Sequence, residues 1–520
     1  MISTRTASAI LAATVTVISL LAIRHSRRKR LSKTAENDAE NESSVVGTAG
    51  FRRLISSDLD IKSAYDQVLL PVIQKYGYAK FWFGSYAYVF SDPEVTRYML
   101  THIDEYPKNQ KPPNPNSLAA VFFGKEHIVN ANGMAWRRLR RILSPPFRKP
   151  FSSETFSTMT QEMIDQWNQS MQGEGKVTVK VHSWMQRLTL DVLGRALLGF
   201  DFKAISDHPS PAVALYHSVF GGKPPSYIYF LFPFLDRWYN PFRYRAWRDM
   251  YALKDTFIKI IRERKREFAE AGGSLEENRK NMDLLSLMVQ AASIEDEEMS
   301  QDEEGLTEEE ILANFNILYL AGHDTTATSL VAEIFYLAKY PEYQQKLLDE
   351  LNTAIPDPNQ VPLMTDKLPL MDAFIRESMR ISPAVGYLVP RTVEKEMTVN
   401  LPNSSESKQM TLPKGSRIFI SIIGLHYNSK IFADPDVFRP ERFLKHAETD
   451  EMNRFFGFGG GSRICLGMNF SLQEQRIVLS MLLRNFTWAF PEGTTPPEKL
   501  IMHGFVLSRP DEIEIQFMKR

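Results

Sequence analysis

Cys465 is the only cysteine in 520 residues. One thiol cannot close an internal disulfide or complete a cysteine zinc site or an iron–sulfur cluster, which all need several. It can act alone as a nucleophile, or as the single axial thiolate of a haem iron. It lies in Phe458-Gly-Gly-Gly461-Ser-Arg463-Ile-Cys465-Leu-Gly467. Gly459, Gly460 and Gly461 permit φ > 0 and let the backbone approach a flat group. Arg463 places a cation two residues from the sulfur. The apolar-periodic run Leu466 to Phe486 predicts a helix opening at the sulfur, where partial positive charge lowers a thiol pKa. The glycines imitate a dinucleotide-binding turn, but Ser462 stands where the last glycine belongs and no strand leads in.

A second group able to do chemistry is Ala321-Gly-His-Asp324-Thr325-Thr326. Gly322 removes a side chain where a planar cofactor could approach. Thr325 can bond a carbonyl one turn back or a ligand in the groove, and Asp324 adjoins it as a proton source. Glu377 and Arg380 are three apart and can share a helix face. Trp136-Arg-Arg-Leu-Arg140 offers an indole N–H and a guanidinium one turn apart, and arginine can bind a carboxylate bidentately.

These residues need elements to hold them. Thr307 and Glu310 form a capping box that starts a helix running without proline to Tyr340, where Pro341 ends it. At roughly 34 residues it spans about 50 Å and should cross the middle of the protein. Aromatic residues from Tyr78 to Tyr88 alternate as short strands do. Residues 134–290 read mostly as helix, broken near Pro209, Pro224 and Pro233. Short strands follow Pro383, at Met397–Val399 and Arg417–Ile423. The expected fold is mainly α with small β-sheets, its elements interleaved through one core.

The Cys465 loop resembles the haem-binding loop of the cytochrome P450 family, Phe-x-x-Gly-x-Arg-x-Cys-x-Gly, at Phe458, Gly461, Arg463, Cys465 and Gly467. Ala321 to Thr326 is similar to the family's oxygen-activation motif. Glu377 and Arg380 match its Glu-x-x-Arg signature, with Arg442 in Phe438-Arg-Pro440-Glu441-Arg442-Phe443 as the later partner. Trp136 and Arg140 match Trp-x-x-x-Arg. The five motifs stand in family order across Trp136 to Gly467.

The resemblance implies haem b between the central helix and the Cys-ligand helix, with Cys465 on the iron. It implies that Trp136, Arg140, Arg391 and Arg463 hold the propionates, and that Glu377, Arg380 and Arg442 brace the proximal wall. Asp324 and Thr325 would relay protons so that the O–O bond of O2 breaks heterolytically. By family position, substrate meets Phe122, Phe123, Phe315, Leu318, Val385, Leu388, Phe505 and Val506. This mostly apolar set implies a steroid, terpenoid or fatty acid class. The implied reaction is hydroxylation with electrons from an NADPH–cytochrome P450 reductase. Two rivals stay open: a haem-thiolate isomerase or dehydratase of oxygenated lipids, and a non-enzymatic membrane haem or gas sensor.

Hydrophobic content is 43%, charge 24% and formal net charge zero, so no basic field argues for nucleic acid. Ala7 to Ile23 carries no charge and precedes Arg24, Arg27, Arg28, Lys29 and Arg30. That pattern predicts a single-pass anchor at residues 1–30 with everything after it cytosolic, in the endoplasmic reticulum membrane by family resemblance. Residues 31–50 read as a polar tether and 51–520 as the catalytic domain.

Overall fold

The computed structural model describes residues 45–520 apart from 48–49, 51–52, 55–58, 83–85, 110–116, 149–150, 172, 207–209, 221–240, 272–282, 293–304, 364–366, 403, 406–407 and 445–453. The anchor and nearly all of the tether expected from the sequence lie outside these residues. Among the described residues no helix is long and apolar enough to cross a membrane.

Residues 46–520 form one compact unit. After two short helices at Ile61–Ala64 and Leu70–Tyr76, its main helices, in chain order, begin with α1 Pro93–Thr101, α2 Leu118–Phe123, α3 Gly133–Leu143, α4 Ser153–Ser170, α5 Val181–Leu193 and α6 Pro211–Phe220. They continue with α7 Pro241–Glu270, α8 Leu284–Ala292, α9 Glu308–Lys339, α10 Glu342–Ala354, α11 Pro369–Ile381 and α12 Met468–Asn485. Strands β1 Ala79–Trp82, β2 Tyr86–Phe90, β7 Arg417–Ile420 and β4 Arg391–Thr392 make a four-stranded sheet in that order. In it β2 and β7 are parallel and the outer pairs antiparallel. A second, antiparallel sheet joins β3 Lys176–Lys180, β11 Glu514–Lys519 and β8 Phe486–Ala489. Two strand pairs complete the β part: β5 Met397–Asn400 with β6 Gln409–Leu412, and β9 Met502–His503 with β10 Arg509–Pro510.

The central helix begins and ends as its sequence dictates. The Thr307 hydroxyl accepts the Glu310 N–H while the Glu310 carboxylate accepts the Thr307 N–H. The helix stops at Lys339, before Pro341. Its 32 residues extend about 48 Å. Most of its side chains are buried around the whole circumference, the signature of a helix inside a core rather than on a surface.

Two expectations change. The run Arg417–Ile423 is not one strand: β7 ends at Ile420, and Ser421 caps a short helix, Ile422–His426, by accepting the Gly424 N–H at 3.0 Å. Hydrophobic alternation cannot separate these two outcomes over seven residues; the serine and glycine decide it. The helix after Cys465 starts only at Met468, with Gly467 as its N-cap, so the sulfur precedes the helix instead of opening it.

Candidate active site

The Cys465 loop is built by its glycines. Gly459 and Gly461 have φ of 72° and 66°, a left-handed conformation open to glycine, whereas Gly460 is extended. A Cβ on Gly461 would strike the carbonyl oxygen of Leu100 in α1. The loop closes on itself where the Cys465 N–H donates to the Phe458 carbonyl at 3.0 Å. Burial pushes the Cys465 thiol up, against the opposing pull of the Gly467 N–H and the Arg140 charge. The expected lowering does not occur, because the helix terminus lies too far along the chain to offset desolvation. Binding of a metal cation would reverse this, since a coordinating thiol is deprotonated outright. Cys465 is nonetheless exposed. A thiol both desolvated and accessible borders an internal cradle.

The central helix shows where that cradle runs. On a helix otherwise wrapped in protein, Leu318, Ala321, Gly322 and Thr325 are only half-buried. Their spacing of three and four puts them on one stripe. Thr325 donates to the Ala321 carbonyl one turn back at 2.8 Å. A hydroxyl bond from Thr326 to Ser471, 2.9 Å, ties α9 to α12 just beyond the Cys465 loop. Gly322 plays a different part from the one its sequence context suggests. A Cβ there would meet Leu193 of α5, so the glycine admits a neighbouring helix, and Ala321 and Thr325 flank the cradle.

A group of cations, Arg391 buried and Lys108 and Arg463 half-buried, stands at its edge. Lys108 pairs with Arg391 in a β-bridge. Asn132 accepts both the Lys108 N–H at 2.8 Å and an Arg463 Nη2–H at 3.2 Å. The Arg463 guanidinium lies over the Trp136 ring, 4.2 Å from its centroid. Burial lowers the pKa of Arg391 and of Arg463 to about 10, and burial with both arginines lowers that of Lys108. Arg391 Nη2 and Arg463 Nε and Nη1 are buried with no hydrogen-bond partner. Orphaned buried donors are costly, and three mutually repelling cations call for an anion. Two propionates would satisfy them, so the residues present fit haem. Arg140 instead donates to the Ile464 carbonyl at 3.3 Å, beside the cysteine. Lys108 escapes sequence reasoning because it sits at the start of a proline-rich loop with no spacing to mark it.

Glu377 is fully buried and holds both arginines of its signature. Arg380 makes a bidentate pair with it at 2.8 and 2.9 Å, and Arg442 Nε reaches it at 3.1 Å. The Arg439 N–H adds a fourth bond at 2.8 Å. The arginines then donate onward to the carbonyls of His426, Ala433, Pro435 and Val437. These bonds pin the segment that leads into the cysteine loop.

His426, also fully buried, accepts the Phe456 N–H on Nε2 at 3.2 Å and is therefore neutral. Burial and the Arg380 charge push its pKa down to about 3. An unfolded histidine takes up a proton near pH 6.5 that the folded one refuses, so folding stability falls as pH drops below 6.5. Between pH 7 and pH 5 a His426→Gln variant should therefore lose about 2 kcal/mol less than wild type, read from denaturant midpoints. An equal loss would contradict the assignment.

Asp324 turns away from Thr325. Its carboxylate accepts from Gln186 at 2.7 Å, Tyr216 at 2.8 Å and Arg509 at 2.5 Å, and none of its bonds goes to Thr325. Burial alone would raise the carboxyl, but the interactions with His323 and Arg509, with the donors Tyr216 and Gln186, hold it well below the usual range. The expected proton source is thus a clamped carboxylate. Gln186 on α5, Tyr216 on α6 and Arg509 on β10 were not legible, since they lie 108 to 185 residues away in the chain.

The apolar candidates divide. Phe122 and Phe315 are buried and pack on Phe257, as core residues do. Phe123, Leu318, Val385, Leu388, Phe505 and Val506 are half-buried. Asn316 ties α9 to the Phe122 carbonyl of α2 at 2.6 Å, and Val385 bridges Leu507. Phe505 stacks on Tyr387 with centroids 4.1 Å apart. Two surface clefts, of about 780 Å³ beside Lys62 and Tyr427 and about 210 Å³ beside Arg97 and Arg454, do not include Cys465.

A sulfur-bearing cradle beneath a long internal helix, with unpaired cations at its edge, defines a haem-thiolate protein. The Cytochrome P450 family profile matches residues 64–517, and the chain belongs to that family. Human cytochrome P450 3A5 is 27% identical over 442 residues, covering 82% of this chain and 83% of its own. The 11-oxo-beta-amyrin 30-oxidase of Glycyrrhiza uralensis is 27% identical over 430 residues, covering 80% and 76%. A zebra fish cytochrome P450 solved with progesterone superposes with a TM-score of 0.69 at 20% identity, covering 89% of this chain and all of that one. The protein is a haem-thiolate monooxygenase that uses O2.

Proposed function

We propose that this monooxygenase hydroxylates a lipophilic small molecule of the steroid, terpenoid or fatty acid class. The observation that carries the reading is the cradle itself: Cys465 open on one wall, Leu318, Ala321 and Thr325 on the helix of the other, and no carboxylate or amine among the apolar candidates to pair a charged substrate. Bound haem supplies the oxygen-activating iron. Cys465 would ligate it, with Phe458 and Gly467 shaping the loop around the sulfur. Arg391, Arg463 and Lys108 would neutralise the propionates, with Trp136 and Arg140 on the neighbouring helix. Thr325 would hold a hydrogen bond and a proton on the oxygen side, and Asp324 would supply that proton once freed from its clamp. Phe123, Leu318, Val385, Leu388, Phe505 and Val506 would exclude water and orient the substrate, with Phe122 and Phe315 backing them.

Electrons would come from an NADPH-dependent cytochrome P450 reductase. The uncharged Ala7 to Ile23 and the basic cluster behind it support an anchor at residues 1–30 in the endoplasmic reticulum membrane, a tether at 31–50 and a cytosolic catalytic domain from 51. The test is product formation from a panel of lipophilic compounds, with NADPH, O2 and added reductase. Product that requires all three supports the reading. Conversion of oxygenated lipids without reductase would replace it with an isomerase or dehydratase.

A further inference from the structure

The oxygen-side network contains a histidine whose geometry assigns it work. His323 follows Gly322 on α9 and is 1% exposed. Its Nδ1 lies 2.5 Å from the Tyr319 carbonyl, which only accepts, so Nδ1 carries the hydrogen. In the neutral ring Nε2 is then a bare lone pair. It faces Asp324 Oδ1 at 3.6 Å, another acceptor, and the two share no hydrogen. One proton placed between them turns this opposition into a charge-assisted pair.

We propose that His323 is a further proton-handling residue of the reaction, forming with Asp324 a buried dyad that takes up one exchangeable proton for delivery to the oxygen side. This rests on the monooxygenase reading above. The transfer balances simply. The Nε2–H of the imidazolium passes its proton to Asp324 Oδ1, leaving a neutral imidazole and a neutral carboxylic acid. The acid is no longer bound by charge to Arg509 and can turn toward Thr325. Once Asp324 has given that proton to the oxygen side and is again a carboxylate, one proton from solvent (as hydronium, leaving water) restores Nε2–H.

The surroundings support both holding and refilling. Tyr216 and Tyr319 pack edge-on against the His323 ring at 4.9 and 5.2 Å. Thr189 of α5 donates to the His323 carbonyl, which fixes the helix there. From α6, His217 is exposed and feels the charges of His323 and Asp324. Burial, helped by Arg509 from β10, lowers the pKa of His323 against the opposing pull of Asp324 and the Tyr319 carbonyl. Gln186 faces the carboxylate from α5, and His182 on the same helix also feels its charge. Clamped by Arg509, Asp324 is a poor proton store by itself; the imidazole beside it offers a second site, one that fills below its ordinary pKa because it is buried.

The first arm of the test is ¹⁵N NMR of histidine-labelled holoenzyme in its diamagnetic ferrous–CO form. His323, identified by the resonance missing from a His323→Gln variant or, should that variant not fold, by the one most shifted in Asp324→Asn, should be the Nδ1–H tautomer. Its titration midpoint should move down in Asp324→Asn. An Nε2–H tautomer, or a midpoint indifferent to Asp324, would overturn the proposal. The second arm is coupling. In His323→Gln and His323→Phe, product per NADPH should fall about 10- to 100-fold, with the missing electrons recovered as peroxide, and its pH dependence below about pH 6.5 should flatten. Unchanged coupling and an unchanged profile would overturn it. The ferrous–CO spectrum of both variants should match wild type. A wild-type protein lacking that spectrum or reductase-dependent product would fail the monooxygenase reading instead, whereas intact spectra with fully coupled variants would fail only the dyad.

Discussion

Replacing Glu377 with alanine should cost about 3–5 kcal/mol of folding stability and most of the yield of haem-loaded protein. Two buried guanidiniums, Arg380 and Arg442, share this carboxylate. Without it Arg380 loses its bidentate partner in the core and Arg442 loses one of its contacts, and breaking a buried pair on one side costs more than replacing both. Total stabilities of about 5–15 kcal/mol leave little margin for such a loss. Glu377→Gln should be milder, since it keeps an acceptor but not the charge. Replacing all three by apolar residues would remove the charge problem, yet the carbonyls of His426, Ala433, Pro435 and Val437 would lose their donors. The brace therefore acts as a connector between α11 and the segment before the cysteine loop. Denaturant midpoints and the haem-to-protein absorbance ratio measure both effects. A shift below about 0.5 kcal/mol would show that the trio is ornamental.

Asp324→Asn should leave the fold intact and reduce coupled product formation about 100-fold or more, within the usual range for loss of positioned proton transfer. Asparagine keeps the shape and can still accept from Tyr216 and Gln186, but it neither answers the Arg509 charge nor carries a transferable proton. NADPH consumption should continue, with peroxide as its product. Asp324→Ala should differ in kind. It strands the Arg509 guanidinium beside Tyr216, so instability would accompany the loss of activity. Simultaneous measurement of NADPH, peroxide and product separates the cases. Full coupling in Asp324→Asn would remove Asp324 from the proton path.

Much of this was legible in the chain because the informative residues are close in sequence. The cysteine loop, the capping box of α9 and the spacing of Glu377 and Arg380 are all local. Arg442 could be matched to Glu377 only through the family pattern, and the structure brings them to 3.1 Å. What escaped depends on distant chain segments. Arg509 lies 185 residues from Asp324, and its approach converts an apparent acid into a clamped anion. Lys108 meets Arg391 across 283 residues through a single bridge. Gly322 looked like a cofactor platform because glycine has no partner in sequence; only the packing of Leu193 shows what fills its place. Phe122 and Phe315 share the composition of a substrate wall, yet Phe257 buries them both. Strands β3 and β11 illustrate the same limit, since their register is fixed by pairing across more than 300 residues.

Everything in the proposed reaction depends on Cys465 ligating haem as a thiolate. The most direct measurement is the ferrous–CO difference spectrum of purified full-length protein beside its Cys465→Ala variant, with haem quantified in each. Wild type should show the strongly red-shifted Soret band of a thiolate-ligated CO complex at about one haem per chain, and the variant should lack it. A thiolate-type band that survives in Cys465→Ala, or a wild-type protein whose bound haem never shows one, would contradict it.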